Sequence, residues 1–161
     1  MSPELSEQRL KCYVEWGQAL SRVKNILLQC RKEDEKDKAG ILIEATHHIQ
    51  QAIDLSCEFP RNDLRRFLTL STAIALYCHL HQYSYVELDR QIILRMSKRY
   101  PRPAVGELLN SLGMLYQEHG KLKEATQLYK RAIKLLPSSH PRFDLLVSNL
   151  ESITDSSLRS R

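Results

Sequence analysis

Apolar residues recur at intervals of three and four along most of the chain, and short polar or turn-forming stretches interrupt them. Such an interval places apolar side chains on one face of an α-helix, whereas a half-buried strand would alternate every second residue. The interruptions divide the chain into seven predicted helices. They cover about 6–31, 41–59, 64–81, 84–99, 104–119, 121–136 and 140–155.

Turn and capping signals mark where these helices begin and end. The run RKEDEKDK at 31–38 has interleaved charges and no apolar residue, so together with Gly40 it predicts a solvated loop or a frayed helix end. Asn62 can cap the third helix. Ser84, followed by Glu87 three residues later, has the form of a capping box. Because only two or three residues link the third and fourth helices, these should form an antiparallel hairpin.

One stretch of the chain places small residues at fixed intervals on otherwise bulky helix faces. A Gly in mid-helix costs about 1 kcal/mol relative to Ala, so we expect Gly113 to allow a neighbouring helix to approach closely. Ala125 and Ala132 would serve the same purpose. The full pattern is Leu109-x2-Leu112-Gly113-x2-Tyr116, then Ala125-x3-Tyr129, Ala132 and Pro137.

Two weaker copies of this pattern precede it. The first copy is Trp16-x2-Ala19-Leu20-x2-Val23 with Ala45-x3-Ile49-x2-Ala52. The second copy rests on position, because four of its residues stand 39 residues before members of the strong pattern. These pairs are Tyr77 with Tyr116, Tyr83 with Leu122, Val86 with Ala125, and Ile93 with Ala132.

The strong pattern resembles a tetratricopeptide repeat, with Leu109 in the position of the family's Trp and Tyr129 in that of its Phe. With the following His140-Pro141, it is also similar to the repeats of kinesin light chains. The resemblance implies an all-α fold, a right-handed superhelical stack of antiparallel helix hairpins. The expected parts are a single domain over 1–157, repeats at about 6–59, 62–99 and 104–137, a C-terminal capping helix at 140–155, and a disordered tail at 158–161.

Composition agrees with a helical domain of ordinary size. The chain has 161 residues, of which 42% are hydrophobic and 27% charged, with only 5 Gly and 6 Pro for turns. Its 4 cysteines fall within apolar-periodic segments, so we interpret them as small core residues. The sequence has no long uninterrupted apolar run and begins with a polar segment, which makes the cytoplasm the expected compartment and the nucleus the alternative.

The resemblance also implies a function in recognition rather than in chemistry. Stacked hairpins present a concave groove lined by the first helix of each pair, and in this family the groove usually holds an extended peptide or a partner's helix. We therefore expect an adaptor or assembly subunit, with simple solvation as the alternative role for each groove residue. The groove positions carried over are Lys24, Asn25, Ser71, Cys78, His79, Asn110, Met114, Gln117 and Glu118.

The chemistry of these side chains suits a peptide. Asn and Gln amides can pair with a peptide backbone, and Met114 offers an adaptable apolar contact. Repeats that bind the acidic carboxyl terminus of heat-shock chaperones need a clamp of Lys, Asn and Arg at particular groove positions. None of those positions in this chain holds a cation, so we expect no chaperone-tail binding. The corresponding positions hold Gly17, Ser21, Thr72, Glu107 and Ser111.

An uneven distribution of positive charge supports an alternative function. The net charge is +5, and two basic clusters could meet an acidic partner or, as a weaker alternative, nucleic acid. No aromatic residues for base stacking are interleaved with them, and solvated surface lysines would also explain them. The first cluster is Arg95, Lys98, Arg99 and Arg102, and the second is Lys121, Lys123, Lys130, Arg131 and Lys134.

Candidates for catalysis or metal binding are few. His47 and His48 are adjacent on a helix and point about 100° apart, and the group Cys78, His79 and His81 lacks the spacing of a zinc site. We therefore predict no enzymatic activity, no catalytic residue, no metal and no cofactor. Since three repeats are near the lower limit for a stable stack, self-association or docking onto a larger complex is an added hypothesis.

Overall fold

The computed structural model describes the backbone of residues 2–32 and 35–159, and the side chains of 2–32 and 38–154. Within these ranges the chain is all-helical, as the periodicity predicts. The seven helices are α1 (Pro3–Cys30), α2 (Glu35–Ser56), α3 (Leu64–Gln82), α4 (Val86–Arg99), α5 (Arg102–Glu118), α6 (Leu122–Leu135) and α7 (Phe143–Arg159). None of the described helices is long and apolar enough to cross a membrane.

The start of α2 lies earlier than the charge pattern predicts. The helix begins at Glu35 and includes Gly40, so the predicted loop at 31–38 is helical from residue 35 onward. A run of alternating acids and lysines is as compatible with a helix as with a solvated loop, because opposite charges three or four residues apart stabilise a helix. Residues 33 and 34 of this run lie outside the described residues.

The cap of α3 is Asp63 rather than the predicted Asn62. The Asp63 carboxylate accepts a hydrogen bond from the backbone N–H of Arg65 at 2.8 Å. The same carboxylate is held by the Arg65 guanidinium at 2.7 Å. Aspartate and asparagine cap helices about equally well, and the ion pair with Arg65 adds a stabilisation that only the aspartate provides.

The turn between α3 and α4 does not contain the predicted capping box. Ser84 has a φ of 63°, and α4 begins two residues later at Val86. The backbone N–H of Tyr85 donates to the Leu80 carbonyl at 2.9 Å, which closes the end of α3. Ser84 therefore ends α3 in the left-handed conformation and does not start α4.

The turn between α5 and α6 has the same geometry. Gly120 has a φ of 75°, and the N–H of Lys121 donates to the Tyr116 carbonyl at 2.9 Å. The two left-handed residues, Ser84 and Gly120, are 36 positions apart. The 39-residue register predicted for the middle hairpin is therefore wrong.

The chain divides into two compact units, of which unit 1 covers Met1–Arg99. In unit 1, α1 packs on α2 and α3 on α4, while α1 also contacts α3 and α2 contacts α4. The helices thus form two layers, α1 with α3 and α2 with α4. The largest fully buried side chains between them are Leu42, Ile49, Ile53, Leu76, Tyr77, Leu80, Ile92 and Met96.

The first turns of α1 contribute nothing to this core. Every residue from 3 to 11 is exposed, and burial begins only with the half-buried Cys12. Farther along, Ala19, Leu20 and Val23 are buried against the rest of unit 1. The helix therefore extends about two and a half turns past its last packing contact.

Unit 2 covers Tyr100–Arg161 and contains α5, α6 and α7. Gly113 allows α5 and α6 to approach closely, because a Cβ atom there would lie 2.7 Å from Cε1 of the buried Tyr129. The last helix, α7, packs on α6, also contacts α5, and buries Leu146 and Ile153. The helix predicted at 140–155 is thus present and continues to Arg159, and residues 160 and 161 of the predicted tail lie outside the described residues.

The four cysteines form no disulfide in the described part of the chain, and they do not share one environment. Cys30 is buried, as predicted for a small core residue. Cys12, Cys57 and Cys78 are only partly buried. The Cys12 thiol donates to the Leu55 carbonyl at 3.6 Å, so it joins α1 to α2 at the edge of the core rather than inside it.

Candidate functional site

Within the described residues of unit 1, no helix packs on the outer side of the layer formed by α1 and α3. Each helix carries a stripe of outward residues at alternating steps of three and four, opposite the side that packs on α2 or α4. We call these two stripes the open face of unit 1. They are Leu10, Val14, Gly17, Ser21, Lys24 and Leu28 on α1, and Leu64, Leu68, Ser71, Ala75, Cys78 and Gln82 on α3.

The open face has an apolar end and a small-residue centre. Leu10 is 63% exposed and Leu64 is 69% exposed, and Val14 and Leu68 also project into solvent. In the centre, a Cβ atom at Gly17 would meet nothing within 4 Å. Small residues allow another helix to approach to the short end of the usual 8–10 Å range, while the leucines offer apolar surface.

Polar and aromatic contacts hold α1 and α3 at a fixed spacing beside this face. The Trp16 indole N–H donates to the Thr69 hydroxyl at 2.7 Å. The Arg65 guanidinium lies over the ring of Tyr13, with 4.4 Å between its central carbon and the ring centroid. Arg65 also lowers the pKa of Asp63 to about 2, through side-chain and then backbone hydrogen bonds. These contacts between α1 and α3 therefore fix the spacing of the two stripes of the open face.

Most of the partner-binding residues predicted in unit 1 lie on or beside this face. Lys24 and Asn25 are exposed on α1, and Ser71 and Cys78 are partly exposed on α3. His79 turns toward Tyr83, with 5.0 Å between the ring centroids. Burial, and then the charges of Lys38 and Arg31, lower the pKa of His79.

In unit 2, two predicted groove amides make internal contacts instead of facing solvent. Asn110 is 3% exposed, and its Oδ1 accepts from the Asn149 side-chain amide at 3.4 Å. The Gln117 side-chain carbonyl accepts from the Tyr129 hydroxyl at 2.8 Å. Both amides therefore stabilise the packing of α5 against its neighbours. Of the predicted groove residues in unit 2, Met114 and Glu118 remain exposed.

The side of unit 2 opposite α6 is acidic. Both α5 and α7 pack on α6, and they contact each other through Asn110 and Asn149, so the stripes that they turn away from α6 are neighbours. We call the carboxylates on these stripes the acidic face: Glu107, Glu118, Asp144 and Glu151.

One carboxylate of the acidic face is contacted by basic side chains of the same unit. Glu107 Oε1 lies 3.4 Å from His140 Nε2 and 3.7 Å from Arg142 Nε. His140 Nδ1 accepts from the backbone N–H of Arg142 at 3.1 Å. The imidazole proton therefore sits on Nε2, where it faces Glu107.

The two basic clusters differ in how their charge is used. In the first cluster, Arg95 bonds to Asp54, and Arg99 Nε meets the same carboxylate at 3.0 Å. In the second cluster, three lysines stand exposed on one side of α6, facing away from the buried Leu128 and Tyr129. We call Lys123, Lys130 and Lys134 the lysine stripe.

Histidines and cysteines do not converge on a metal-binding group in the part of the chain whose side chains are described. The group Cys78, His79 and His81 is divided between different neighbours: His81 Nδ1 lies 3.4 Å from Asp89, and His79 lies beside Tyr83. His48 pairs with Glu44 at 3.5 Å.

The exposed leucines and valine of the open face are the residues that the sequence reasoning missed. Leu10, Val14, Leu64 and Leu68 interrupt the outward side of otherwise regular amphipathic helices. That signal is present in the sequence, since each lies about half a turn away from the buried stripe of its helix. The four residues are not among the groove positions carried over from the tetratricopeptide family, so the resemblance did not indicate them.

Comparison with known proteins identifies one element of the chain. Residues 106–139, which form most of α5, the turn at Gly120, α6 and the following turn, match the tetratricopeptide repeat family. Neither among curated proteins nor among solved structures was a match found. The similarity to kinesin light chain repeats stays a prediction.

Proposed function

Since residues 106–139 form a tetratricopeptide repeat, we propose that the chain is a protein interaction module, an adaptor or assembly subunit that binds a segment of a partner protein. The open face of unit 1 is the proposed docking surface. The observation that supports it is the exposure of Leu10, Val14, Leu64 and Leu68 on one side of two helices that are otherwise amphipathic.

The partner segment should be an amphipathic helix or an extended peptide with apolar anchors. Leu10 and Val14 lie one turn apart on α1, as do Leu64 and Leu68 on α3, so two pairs of apolar side chains face an incoming segment. Gly17, Ser21 and Ser71 leave room for its backbone beside these anchors. Lys24 and Asn25 supply polar contacts at the other end of the face.

The proposal is tested with peptides selected against the intact chain from a random library. Binding of each selected peptide is then measured by fluorescence anisotropy for the wild type and for Val14→Glu and Leu68→Glu. We expect each variant to weaken binding at least about tenfold, because an apolar anchor would face a carboxylate.

Matched controls are Ile43→Glu and Leu94→Glu, which introduce the same charge at exposed apolar residues of α2 and α4. These variants should bind like the wild type. If the control variants weaken binding as much as the open-face variants, or if all four leave it unchanged, the open face is not the docking surface. Circular dichroism confirms that each variant keeps its helix content.

A further inference from the structure

Unit 2 carries opposite charges on its two sides. The lysine stripe lies on the outer side of α6, and the acidic face lies on α5 and α7, which pack against the inner side of α6. Three cations therefore point one way and four carboxylates the other, of which Glu107 also contacts His140 and Arg142. Such a unit is electrostatically complementary to a copy of itself placed front to back.

The spacing of the charges matches as well as their sign. Lys123 and Lys134 are eleven residues apart, as are Glu107 and Glu118 on α5. At about 1.5 Å per residue, both pairs span about 16 Å along a helix.

A second match lies on α7. Asp144 and Glu151 are seven residues apart, the same separation as Lys123 and Lys130, which corresponds to about 10 Å. One α6 helix laid along the acidic face would therefore bring its lysines level with carboxylates of both α5 and α7.

Apolar surface at the centre of the acidic face adds a contact that charge alone does not provide. Met114 is 44% exposed between Glu107 and Glu118. Lysine side chains bury their hydrocarbon stems on apolar surface while keeping the ammonium group at the edge. The stem of Lys130 would cover Met114 in this arrangement, with Gln127 beside it.

We propose that the lysine stripe of one copy of the chain binds the acidic face of a second copy. The partner is a copy rather than a foreign polyanion because the same unit supplies a surface of opposite charge with the same spacing. The contact is heterologous, since it joins two different surfaces and leaves one of each free. Association therefore continues beyond a dimer as concentration rises.

The test is sedimentation of the intact chain over a range of concentrations. In about 50 mM salt we expect the average mass to rise with concentration without levelling at a dimer, and in about 500 mM salt we expect the monomer mass. The variant Lys123→Glu/Lys130→Glu/Lys134→Glu should stay monomeric at low salt. The variant Glu118→Lys/Asp144→Lys/Glu151→Lys should do the same.

Mixing these two charge-reversed variants gives the decisive measurement. Each reversed surface then meets its complement on the other variant, so self-association should return in the mixture. A control that changes net charge equally at exposed cations of unit 1, Arg22→Glu/Arg61→Glu/Lys98→Glu, should associate like the wild type.

Three outcomes overturn the proposal. They are a monomer at every concentration in low salt, association that survives the lysine reversals, and a mixture that stays monomeric although both variants are folded. If the wild type stays monomeric but binds polyglutamate or a nucleic acid oligomer, and the lysine reversals abolish this, the stripe serves a foreign anion instead. These variants change only unit 2, so their results are independent of the docking surface proposed on unit 1.

Discussion

Ser84 and Gly120 take the same left-handed backbone conformation at equivalent turns of two different hairpins, with φ values of 63° and 75°. In each case the next residue donates its N–H to a carbonyl five residues back, Tyr85 to Leu80 and Lys121 to Tyr116, both at 2.9 Å. Gly adopts this conformation without a steric penalty, whereas Ser carries a Cβ that crowds the backbone. The middle hairpin thus forms the same turn with Ser in place of the usual Gly.

Replacing Ser84 with Gly should stabilise the protein. Removing the Cβ relieves the left-handed strain and outweighs the extra flexibility of Gly in the unfolded chain, for a net gain of about 0.5–1 kcal/mol. The free energy of unfolding in urea measures this gain. Ser139→Gly, at an exposed serine outside the positive-φ region, is the control and should give no gain. A Ser84→Gly variant no more stable than wild type would show that the turn is unstrained.

The same turn explains why sequence spacing placed the middle hairpin incorrectly. With the 36-residue register, Pro101 corresponds to Pro137, and the fully buried Met96 to the fully buried Ala132. The predicted 39-residue register instead aligned Val86, which is 45% exposed, with the buried Ala125. Tyr, Val and Ile recur often enough in amphipathic helices to coincide by chance. The residue that fixes the register is the one at positive φ. A Ser at that position, unlike a Gly, does not indicate a left-handed conformation in the sequence.

Opposite effects are expected from adding one methyl group at two glycines. At Gly113 the new Cβ would lie 2.7 Å and 2.9 Å from ring carbons of Tyr129, so Gly113→Ala should destabilise the protein by about 1–3 kcal/mol. At Gly17 it meets nothing within 4 Å, so Gly17→Ala should stabilise α1 by up to about 1 kcal/mol. Thermal and urea unfolding measure both. A Gly113→Ala variant as stable as wild type would contradict the close packing of α5 on α6.

The ion pair at the start of α3 should give stability a measurable pH dependence. Asp63 has a pKa of about 2 in the folded chain against 3.8 for an unperturbed Asp. A lowered folded-state pKa contributes stability above the unfolded pKa and loses it as pH falls through the folded pKa. Wild type should therefore be more stable than Asp63→Asn near neutral pH, and the difference should vanish between about pH 4 and pH 2.

Asn keeps the helix cap, so this comparison isolates the ionic contribution of Arg65. Glu151→Gln, at an exposed carboxylate of α7, serves as the control and should show no such loss. A stability difference between wild type and Asp63→Asn that is the same at pH 2 and pH 7 would show that the carboxylate charge is not involved.

The amide pair between α5 and α7 should matter for folding of unit 2. Asn149→Ala would remove the donor that lies 3.4 Å from the buried side-chain carbonyl of Asn110. The free energy of unfolding should fall by about 1–2 kcal/mol. Asn25→Ala, at an exposed residue, should change stability by less than about 0.5 kcal/mol. Urea unfolding followed by circular dichroism compares the two. Equal effects would mean that the buried amide is satisfied in another way.

Asn110 also shows why the site was harder to predict than the fold. Helix periodicity gives the angle of a side chain around its own helix, but it does not say which neighbour occupies that direction. For Asn110 the neighbour is Asn149, and for Gln117 it is Tyr129. The helices and their pairing follow from the local apolar pattern and the short links. Which residues stay exposed depends instead on how helices that are distant in the sequence pack together.

The first turns of α1, which extend beyond the packed part of the helix, should exchange their amide hydrogens faster than the rest of the helix. Backbone amides in the exposed turns between residues 3 and 11 are held only by local helix formation, which is marginal for a segment of that length. Hydrogen–deuterium exchange there should be fast and should slow sharply after Cys12, where side chains begin to pack. A partner that docks on Leu10 and Val14 would extend slow exchange toward the amino terminus, so this segment reports binding without any label.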